Sequence, residues 1–190
     1  QGLKMRIPGL GGEVLSRAGG TPVSMPGGEI FTSLQSGAID ATEWIGPYND
    51  LAFGLYKAAK NYYYPGWHEP GSTLETFVNK QTFESLPKDL QAIVKHACKD
   101  ASMDMISEFS AKNNAALDTL VNKHQVSVKA LPDDVLKKLH WLSNEVVQDI
   151  VDRDAFSQKV YASYSSFQQQ AIKWSDVSEY AYMRARGLGA

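Results

Sequence analysis

The sequence of 190 residues contains a single cysteine, Cys98, which excludes an internal disulfide bond. It also lacks a basic cluster: 19 Lys and Arg are balanced by 21 Asp and Glu, so nucleic acid is not an expected partner. No apolar run reaches the length needed to cross a bilayer. The chain begins at Gln1 without an initiator methionine or a signal peptide, which indicates a fragment or a processed chain and leaves export undecided.

The motifs of the common enzyme classes are absent as well. The sequence has no G-x-S-x-G, no H-E-x-x-H, no P-loop and no Cys/His pair at catalytic spacing. Gly9-x-Gly11-Gly12 resembles the start of a dinucleotide-binding loop, but Val14 stands where G-x-G-x-x-G requires its third glycine. Nucleotide binding is therefore not predicted from this loop.

What the first 45 residues do contain is an alternation of strand-like and helix-like patterns. Leu3, Met5 and Ile7 alternate with basic residues and predict a strand. Two further short strands are predicted, over 21–25 and just after Gly37, with a helix before each of them. Strand, helix, strand, helix, strand in so short a stretch predicts an α/β fold with a mostly parallel sheet and right-handed crossovers.

The remainder of the chain is predicted to be mainly helical. Apolar residues at helical spacing from Pro87 to about His124 predict one helix about 50 Å long. Two interpretations of this helix stay open, a coiled-coil arm and a strut that runs behind two lobes. Shorter elements are expected around it: a helix over 48–60, strands over 62–67, 74–79 and 126–129, and helices over 155–174 and 176–186.

Charged side chains at the ends of predicted strands are the candidates for a binding site, because open α/β sheets bind ligands there. Arg6 ends the first strand, where its guanidinium could bind a carboxylate in bidentate geometry or pair with a helix carboxylate. Glu43 ends the third strand and could ligate Na⁺ or Ca²⁺, accept a hydrogen bond from a ligand hydroxyl, or serve as a helix cap or ion-pair partner. Trp44 could line a pocket or belong to the core.

Two further polar residues, His68 and Glu69, follow a Pro-Gly break. They do not form a zinc pair, because Pro70-Gly71 breaks any helix that would return a second ligand four residues later. The C-terminal part carries more aromatic surface than one helix face usually buries, which predicts packing on another copy or on another part of the protein. These residues are Tyr161, Tyr164, Phe167, Trp174, Tyr180 and Tyr182.

Several stretches together resemble the solute-binding receptors of TRAP transporters, the DctP family. They are residues 3–9 (LKMRIPG), 26–44 (PGGEIFTSLQSGAIDATEW) and 86–91 (LPKDLQ), the last at the head of the long helix. Residues 46–50 (GPYND) and 62–69 (YYYPGWHE) resemble the subgroup that binds 2-oxo acids and is often labelled mannitol/chloroaromatic. The resemblance covers essentially the whole chain.

The resemblance implies a type II periplasmic-binding-protein-like fold. This fold has two α/β lobes with a cleft between them, a parallel-rich sheet with helices on both faces, one long spanning helix and C-terminal helices. Residues 1–80 would form the ligand-binding lobe that carries the arginine, residues 81–125 the spanning helix, and residues 126–190 a strand of the other lobe with the C-terminal helices. Receptors of the family begin with a lobe that this chain lacks, so one cleft wall and a further cation ligand are expected elsewhere.

The resemblance also implies a function: capture of a small 2-oxo or 2-hydroxy monocarboxylate in the periplasm and delivery to the membrane permease subunits, without catalysis. Arg6 would bind the ligand carboxylate. The Glu43 carboxylate and the Trp44 main-chain carbonyl would hold a Na⁺ or Ca²⁺ that bridges to the substrate, and His68 and Glu69 would add cleft contacts. Many relatives carry Asn at the position of Trp44, so a smaller, flatter acid is favoured over a sialic acid.

The resemblance further implies a homodimer that exchanges its C-terminal helices, which agrees with the aromatic C-terminal part. Two alternatives from other classes stay open. One is an enzyme that acts on small acids with Glu43 and Asp50 as acid and base. The other is a structural domain whose aromatic C-terminal part is a dimerisation interface.

Overall fold

The computed structural model describes residues 2–71 and 74–189, and in these residues it has five short strands and eight α-helices. One compact unit runs through His140 and a second begins at Trp141. The strands pair in parallel, so the predicted α/β class with parallel sheets is confirmed. Among the described helices, none combines the length and the apolar character that a membrane-spanning segment needs.

The first sheet has three parallel strands in the order β2-β1-β3. Its central strand β1 (Lys4–Arg6) lies between β2 (Thr21–Val23) and β3 (Ala41–Thr42). The connections are α1 (Gly9–Arg17) and α2 (Ile30–Ser36), as the alternating pattern predicted. Because β1 and β3 are parallel neighbours, the residues that follow them emerge side by side at one edge of the sheet.

Apolar side chains of α2 and of the segments that follow it form a buried cluster. Ile30 is fully buried, and Leu34, Ile39 and Leu55 are at most 9% exposed, while Trp44 is one of the partly buried residues that pack on them. Gly37 ends α2 in the left-handed conformation, with φ of 75°, which glycine adopts without steric cost. The chain can therefore turn from α2 directly into β3.

The predicted helix over 48–60 is partly wrong. A helix, α3, spans Pro47–Ala52, but Gly54 has φ of 70° and ends it, and a 3₁₀ turn follows at Leu55–Lys57. Apolar residues at helical spacing continued through this stretch, so periodicity alone did not reveal the interruption. Left-handed glycine conformations are incompatible with a continuing α-helix.

The second sheet pairs β4 (Asn61–Tyr64) with β5 (Ser127–Ala130) in parallel. Between these strands lie α4 (Lys80–Ser85) and the long helix α5 (Lys88–Asp118), which continues into a π-helical turn at Thr119–Lys123. The 31 residues of α5 correspond to a length of about 47 Å. The predicted long helix is thus confirmed, with β5 directly after it.

The predicted strand over 74–79 is wrong. In the described residues this stretch has irregular backbone and no ladder partner, although its sequence alternates as in a strand. Leu74, Phe77 and Val78 are 65%, 86% and 48% exposed. A strand exists only when a second strand supplies its hydrogen bonds, and alternation within one segment does not determine whether such a partner is present.

The C-terminal part consists of helices. α6 (Asp133–Val151) begins in the first unit and ends in the second, and α7 (Ala155–Val177) and α8 (Glu179–Gly187) follow it. Asp154 caps α7 by accepting a hydrogen bond from the Ser157 N–H at 2.7 Å. The two predicted C-terminal helices are therefore confirmed, and their described residues include none that is buried.

Candidate functional site

The ends of β1 and β3 bring Arg6 and Glu43 into direct contact. The Glu43 N–H donates to the Arg6 carbonyl at 3.3 Å, which extends the parallel strand pairing. Arg6 Nη1 forms an ion pair with Glu43 Oε1, and the two side chains are only 12% and 15% exposed. The sequence pattern predicts both residues at strand ends. Their pairing with each other is not evident from that pattern.

The guanidinium of Arg6 also contacts two other residues, Met25 and Trp44. Its Nε donates to the Met25 carbonyl at 3.3 Å, and its Cζ lies 5.5 Å from the centroid of the Trp44 ring, within cation–π distance. One end of the side chain is therefore held by the backbone and its face by an indole. The other end, Nη1, is the end that contacts Glu43.

Trp44 packs tightly between the core and the site. Its ring centroid lies 5.0 Å from that of Phe53, and a Cβ added at Gly27 would come within 2.5 Å of a Trp44 ring carbon. Its indole Nε1 is buried and has no hydrogen-bond partner among the described residues. Trp44 thus combines the two roles considered from the sequence, because it packs on the core and also forms a wall beside Arg6.

His68 and Glu69 join the same cluster from the loop after β4. His68 Nε2 lies 3.9 Å from Glu43 Oε2, and Glu43, His68 and Glu69 each offer one ligand atom within 4.8 Å of the others. Both ring nitrogens of His68 are buried without a hydrogen-bond partner in the described part of the chain. The structure therefore brings together within one unit all five residues that the sequence nominated for a site, Arg6, Glu43, Trp44, His68 and Glu69.

The electrostatics of the cluster follow from its burial. Burial raises the pKa of the Glu43 carboxyl, Arg6 opposes this shift, and the nearby charge of Glu69 adds to it. Burial also lowers the pKa of His68, against the attraction of Glu69, so the neutral imidazole is favoured. The two carboxylates, Glu43 and Glu69, supply oxygen ligands of the kind that a hard cation such as Na⁺ or Ca²⁺ prefers, and the neutral imidazole beside them adds no positive charge. The unpartnered His68 nitrogens agree with a site built to receive another group.

Asp50 and Tyr62 hold the loop that carries Glu43 and Trp44, a role that the sequence did not reveal. Asp50 is 8% exposed and accepts hydrogen bonds from the Tyr62 hydroxyl at 2.6 Å and from the Ile45 and Gly46 N–H groups at 3.5 and 3.4 Å. Burial raises the pKa of both Asp50 and Tyr62. Tyr62 is half-buried, whereas the next two residues of β4 are exposed. In the sequence, only its position in a predicted strand could have indicated this role.

The second half of α5 supports the start of α3. The Tyr48 N–H donates to Asn113 Oδ1 at 3.0 Å, and the Tyr48 hydroxyl donates to Glu108 at 3.0 Å and accepts from Lys112 at 3.2 Å. These bonds join residues 60 to 65 positions apart in the sequence. This half of α5 is therefore packed against the region of the site and does not project as a free arm.

Comparison with known proteins identifies relatives along most of the chain. Residues 1–154 match the family described as bacterial extracellular solute-binding protein, family 7, or DctP. The monocarboxylate 2-oxoacid-binding periplasmic protein all3028 of Nostoc sp. strain PCC 7120 is 42% identical over 184 residues. That match covers 96% of this chain and 50% of the Nostoc protein, so the chain spans about half the length of this relative.

Solved structures have the same fold at comparable identity. A TRAP periplasmic solute-binding protein of Pseudoalteromonas atlantica T6c, with bound sodium and pyruvate, matches 97% of this chain and 56% of its own, with 36% identity and a TM-score of 0.90. A TRAP transporter solute-binding protein of Bordetella bronchiseptica RB50, a mixed-occupancy dimer with copurified calcium and picolinate, matches 100% of this chain and 56% of its own, with 34% identity and a TM-score of 0.94.

Proposed function

This chain belongs to the DctP family of bacterial extracellular solute-binding proteins, and we propose that it forms the carboxylate-binding part of a periplasmic receptor for a TRAP transporter. Its ligand is a small 2-oxo or 2-hydroxy monocarboxylate of the size of pyruvate. The relatives are receptors that bind solutes, not enzymes, as the resemblance implied.

The observation that carries this proposal is the arrangement of opposite charges at one edge of the first sheet. Arg6 lies at the end of β1, and Glu43, with His68 and Glu69 beside it, lies at the end of β3. In the proposed complex Arg6 donates two parallel hydrogen bonds to the ligand carboxylate. Hydrogen bonds to charged groups stabilise a complex by about 1.5–3 kcal/mol each, so the arginine is the main anchor.

A cation completes the proposed site. The Glu43 carboxylate and the Trp44 main-chain carbonyl hold Na⁺ or Ca²⁺, and Glu69 and His68 add contacts from the opposite loop. The bound cation supplies positive charge that offsets the repulsion between Glu43 and an anionic ligand. Support comes from the oxygen ligands gathered around Glu43 and from relatives that contain sodium with pyruvate or calcium with picolinate.

Trp44 supports a small, flat ligand. Its indole lies against both Arg6 and Phe53. A planar 2-oxo acid can lie beside this ring, whereas a bulky sugar acid would have to displace it. Pyruvate and picolinate, the organic acids in the two solved relatives, are both planar.

The proposed receptor delivers its ligand to the permease subunits of the transporter and forms a homodimer through its C-terminal helices. The dimer is supported by the exposed aromatic side chains of these helices, which include Phe156, Phe167 and Trp174 at 75%, 72% and 65% exposure. One relative is likewise a dimer. The periplasmic location is supported by the name of the Nostoc relative.

The test is calorimetric titration of the intact protein with pyruvate in buffer that contains Na⁺ or Ca²⁺. Arg6→Ala should weaken pyruvate binding by about 100-fold or more, because a buried ligand carboxylate loses its charged partner. Arg17→Ala is the matched control, since Arg17 pairs with Glu13 on the surface of α1 and should leave the affinity unchanged. Pyruvate affinity that survives in Arg6→Ala, or the absence of binding for every 2-oxo acid, would contradict the proposal.

A further inference from the structure

The glycine-rich turn between β1 and α1 lies at the site but outside the charged cluster. Gly9-x-Gly11-Gly12 has the spacing of the first half of a dinucleotide-binding loop, although nucleotide binding is not predicted for it. In the structure, the space beside Gly11 is filled by the ring of His68, which comes from the loop after β4. We propose that Gly11 is a positioning residue of the binding site, because its lack of a side chain lets the His68 ring lie against α1.

The His68 ring lies too close to Gly11 for any larger residue to fit without a shift. A Cβ added at Gly11 would be 2.9 Å from His68 Cδ2, whereas ordinary van der Waals contact begins at 3.4 Å. The ring would have to retreat by about half an ångström to restore normal contact. Cδ2 is covalently bonded to Nε2, the ring nitrogen that lies 3.9 Å from Glu43 Oε2. A change at Gly11 is therefore transmitted to the atom that faces Glu43.

Packing is the main constraint on the His68 ring. Both ring nitrogens are buried, and neither has a hydrogen-bond partner in the described part of the chain. Close neighbours of the ring include Glu43 and the Trp67 ring, whose centroid lies 4.9 Å from that of His68. Since no directional bond orients the imidazole, the surfaces that it touches determine its position, and α1 at Gly11 is one of them.

The next residue, Gly12, lacks a side chain for a different reason. Its Cβ would lie 2.8 Å from the Ile7 carbonyl oxygen and 3.3 Å from Pro22 Cβ, so Gly12 lets α1 pack onto the sheet. Gly12 is buried, whereas Gly11 is partly exposed. In dinucleotide-binding loops the second glycine of the motif lets phosphate groups approach the backbone. Here a side chain of the same protein, His68, occupies the corresponding place beside Gly11.

This inference rests on the proposed function and adds a residue to it. The loop that carries His68 also carries Glu69, and both offer ligand atoms to the cluster that contains Glu43. A binding site works well only when its groups are held within about 0.5 Å of their proper positions. A larger residue at position 11 should therefore weaken ligand binding although every charged group of the site is still present.

The first test is histidine modification of the intact protein without ligand. Diethylpyrocarbonate reacts with accessible neutral imidazole nitrogens, so buried His68 should react slowly in the wild type. In Gly11→Ala its rate, followed by peptide mass spectrometry, should rise about fivefold or more, as a modest loss of packing produces in a local equilibrium. His124, which stacks on Tyr56, is the internal reference and should keep its rate. An unchanged His68 rate, or an equal rise at His124, would overturn the inference and leave the proposed function intact.

Two further variants separate the contact with His68 from overpacking of the core. The new methyl group of Gly11→Ala would also lie 3.0 Å from Cδ1 of buried Ile7. Gly11→Ala combined with Ile7→Val removes that atom and should keep the faster modification of His68. Gly28→Ala is the matched control, because a Cβ there meets no atom of the described residues within 4 Å apart from the local backbone and chain neighbours. A wild-type rate in the double variant would show that Ile7 displaces the ring and would overturn the inference.

Calorimetric titration with pyruvate in buffer that contains Na⁺ or Ca²⁺ connects the position of His68 with affinity. Gly11→Ala should weaken pyruvate binding about tenfold, and Gly28→Ala should leave it within about twofold. Unchanged affinity in Gly11→Ala, despite faster modification of His68, would overturn the positioning role. A wild type that binds no 2-oxo acid would instead contradict the proposed function, so the two failures are distinguishable.

Discussion

The charged cluster around Arg6 and the C-terminal helices α7 and α8 contrast in what they bury. Around Arg6, charged and polar groups are withdrawn from water and held by packed side chains, as the exposures of 12% for Arg6 and 15% for Glu43 indicate. On α7, large aromatic side chains lie in solvent, with Phe167 72% exposed. Buried charge is stable only when a specific partner neutralises it, whereas exposed apolar surface is stabilised by any apolar surface of matching shape.

The two regions therefore suit different kinds of binding partner. A site that positions a few charges inside a packed shell recognises small ions, because its specificity depends on distances of a few ångströms. A helix face of exposed aromatics suits a macromolecule, because it gains free energy from area. The proposed receptor uses the first kind of surface for its ligand and the second for a second copy of itself.

The strongest test of this contrast introduces one methyl group into the packed shell. In Gly27→Ala the new Cβ would lie 2.5 Å from a ring carbon of Trp44, and the ring is backed by Phe53. Overpacking of this kind should lower the free energy of unfolding by about 3 kcal/mol, and the displaced Trp44 should weaken pyruvate binding about tenfold. Urea denaturation and calorimetry measure the two effects.

Gly28→Ala is the matched control for this experiment. Among the described residues, apart from the local backbone and chain neighbours, no atom lies within 4 Å of a Cβ at Gly28, so the same methyl group one residue further on should change neither quantity. If the two variants behave alike, tight packing around Trp44 does not contribute to the site, and the contrast between the two regions loses its basis.

A smaller effect is expected from the hydrogen bond that holds the Glu43 loop. Tyr62→Phe removes the hydroxyl that donates to buried Asp50 at 2.6 Å and should cost about 1–2 kcal/mol at neutral pH. Burial raises the pKa of Asp50 and the Tyr62 bond lowers it, so removal of the hydroxyl raises this pKa further. The cost should therefore grow as the pH rises through the acidic range in which Asp50 ionises, and shrink at lower pH where Asp50 is protonated.

Chemical denaturation at several pH values checks this dependence. Tyr63→Phe provides the control, since Tyr63 is 53% exposed and its substitution should change the stability by less than about 0.5 kcal/mol at every pH. A cost for Tyr62→Phe that does not vary with pH would show that Asp50 is not the group that the hydroxyl stabilises.

The smallest effect on the binding site is expected from the aromatic side chains of α7. Replacing Phe167 and Trp174 together by serine should leave pyruvate affinity within twofold and convert the proposed dimer to a monomer in light-scattering measurements. Gln169→Ser on the same helix serves as the control and should preserve the dimer. A loss of pyruvate affinity in the double variant would remove the distinction between the two kinds of surface.

Much of the fold could be predicted from local sequence, because helices and their ends depend on nearby residues. The order of β1, α1, β2, α2 and β3 follows from alternation, helical spacing and Gly37, and the long helix α5 follows from its apolar period. The secondary-structure predictions are wrong where the outcome depends on a distant strand partner or on the backbone conformation of a glycine. The stretch 74–79 finds no strand partner in the described residues, and Gly54 interrupts the apolar pattern over 48–60 by its left-handed conformation.

For the site, the sequence by itself determined which residues stand at the ends of strands. Arg6, Glu43 and Trp44 occupy those positions because strand periodicity and the glycine before β3 place them there. Only the tertiary structure decided that Arg6 and Glu43 neutralise each other, that His68 reaches Glu43 from a separate loop, and that Asp50 and Tyr62 hold the loop in place. The physical reason is that electrostatic contacts depend on distance in space, and sequence separation does not determine that distance.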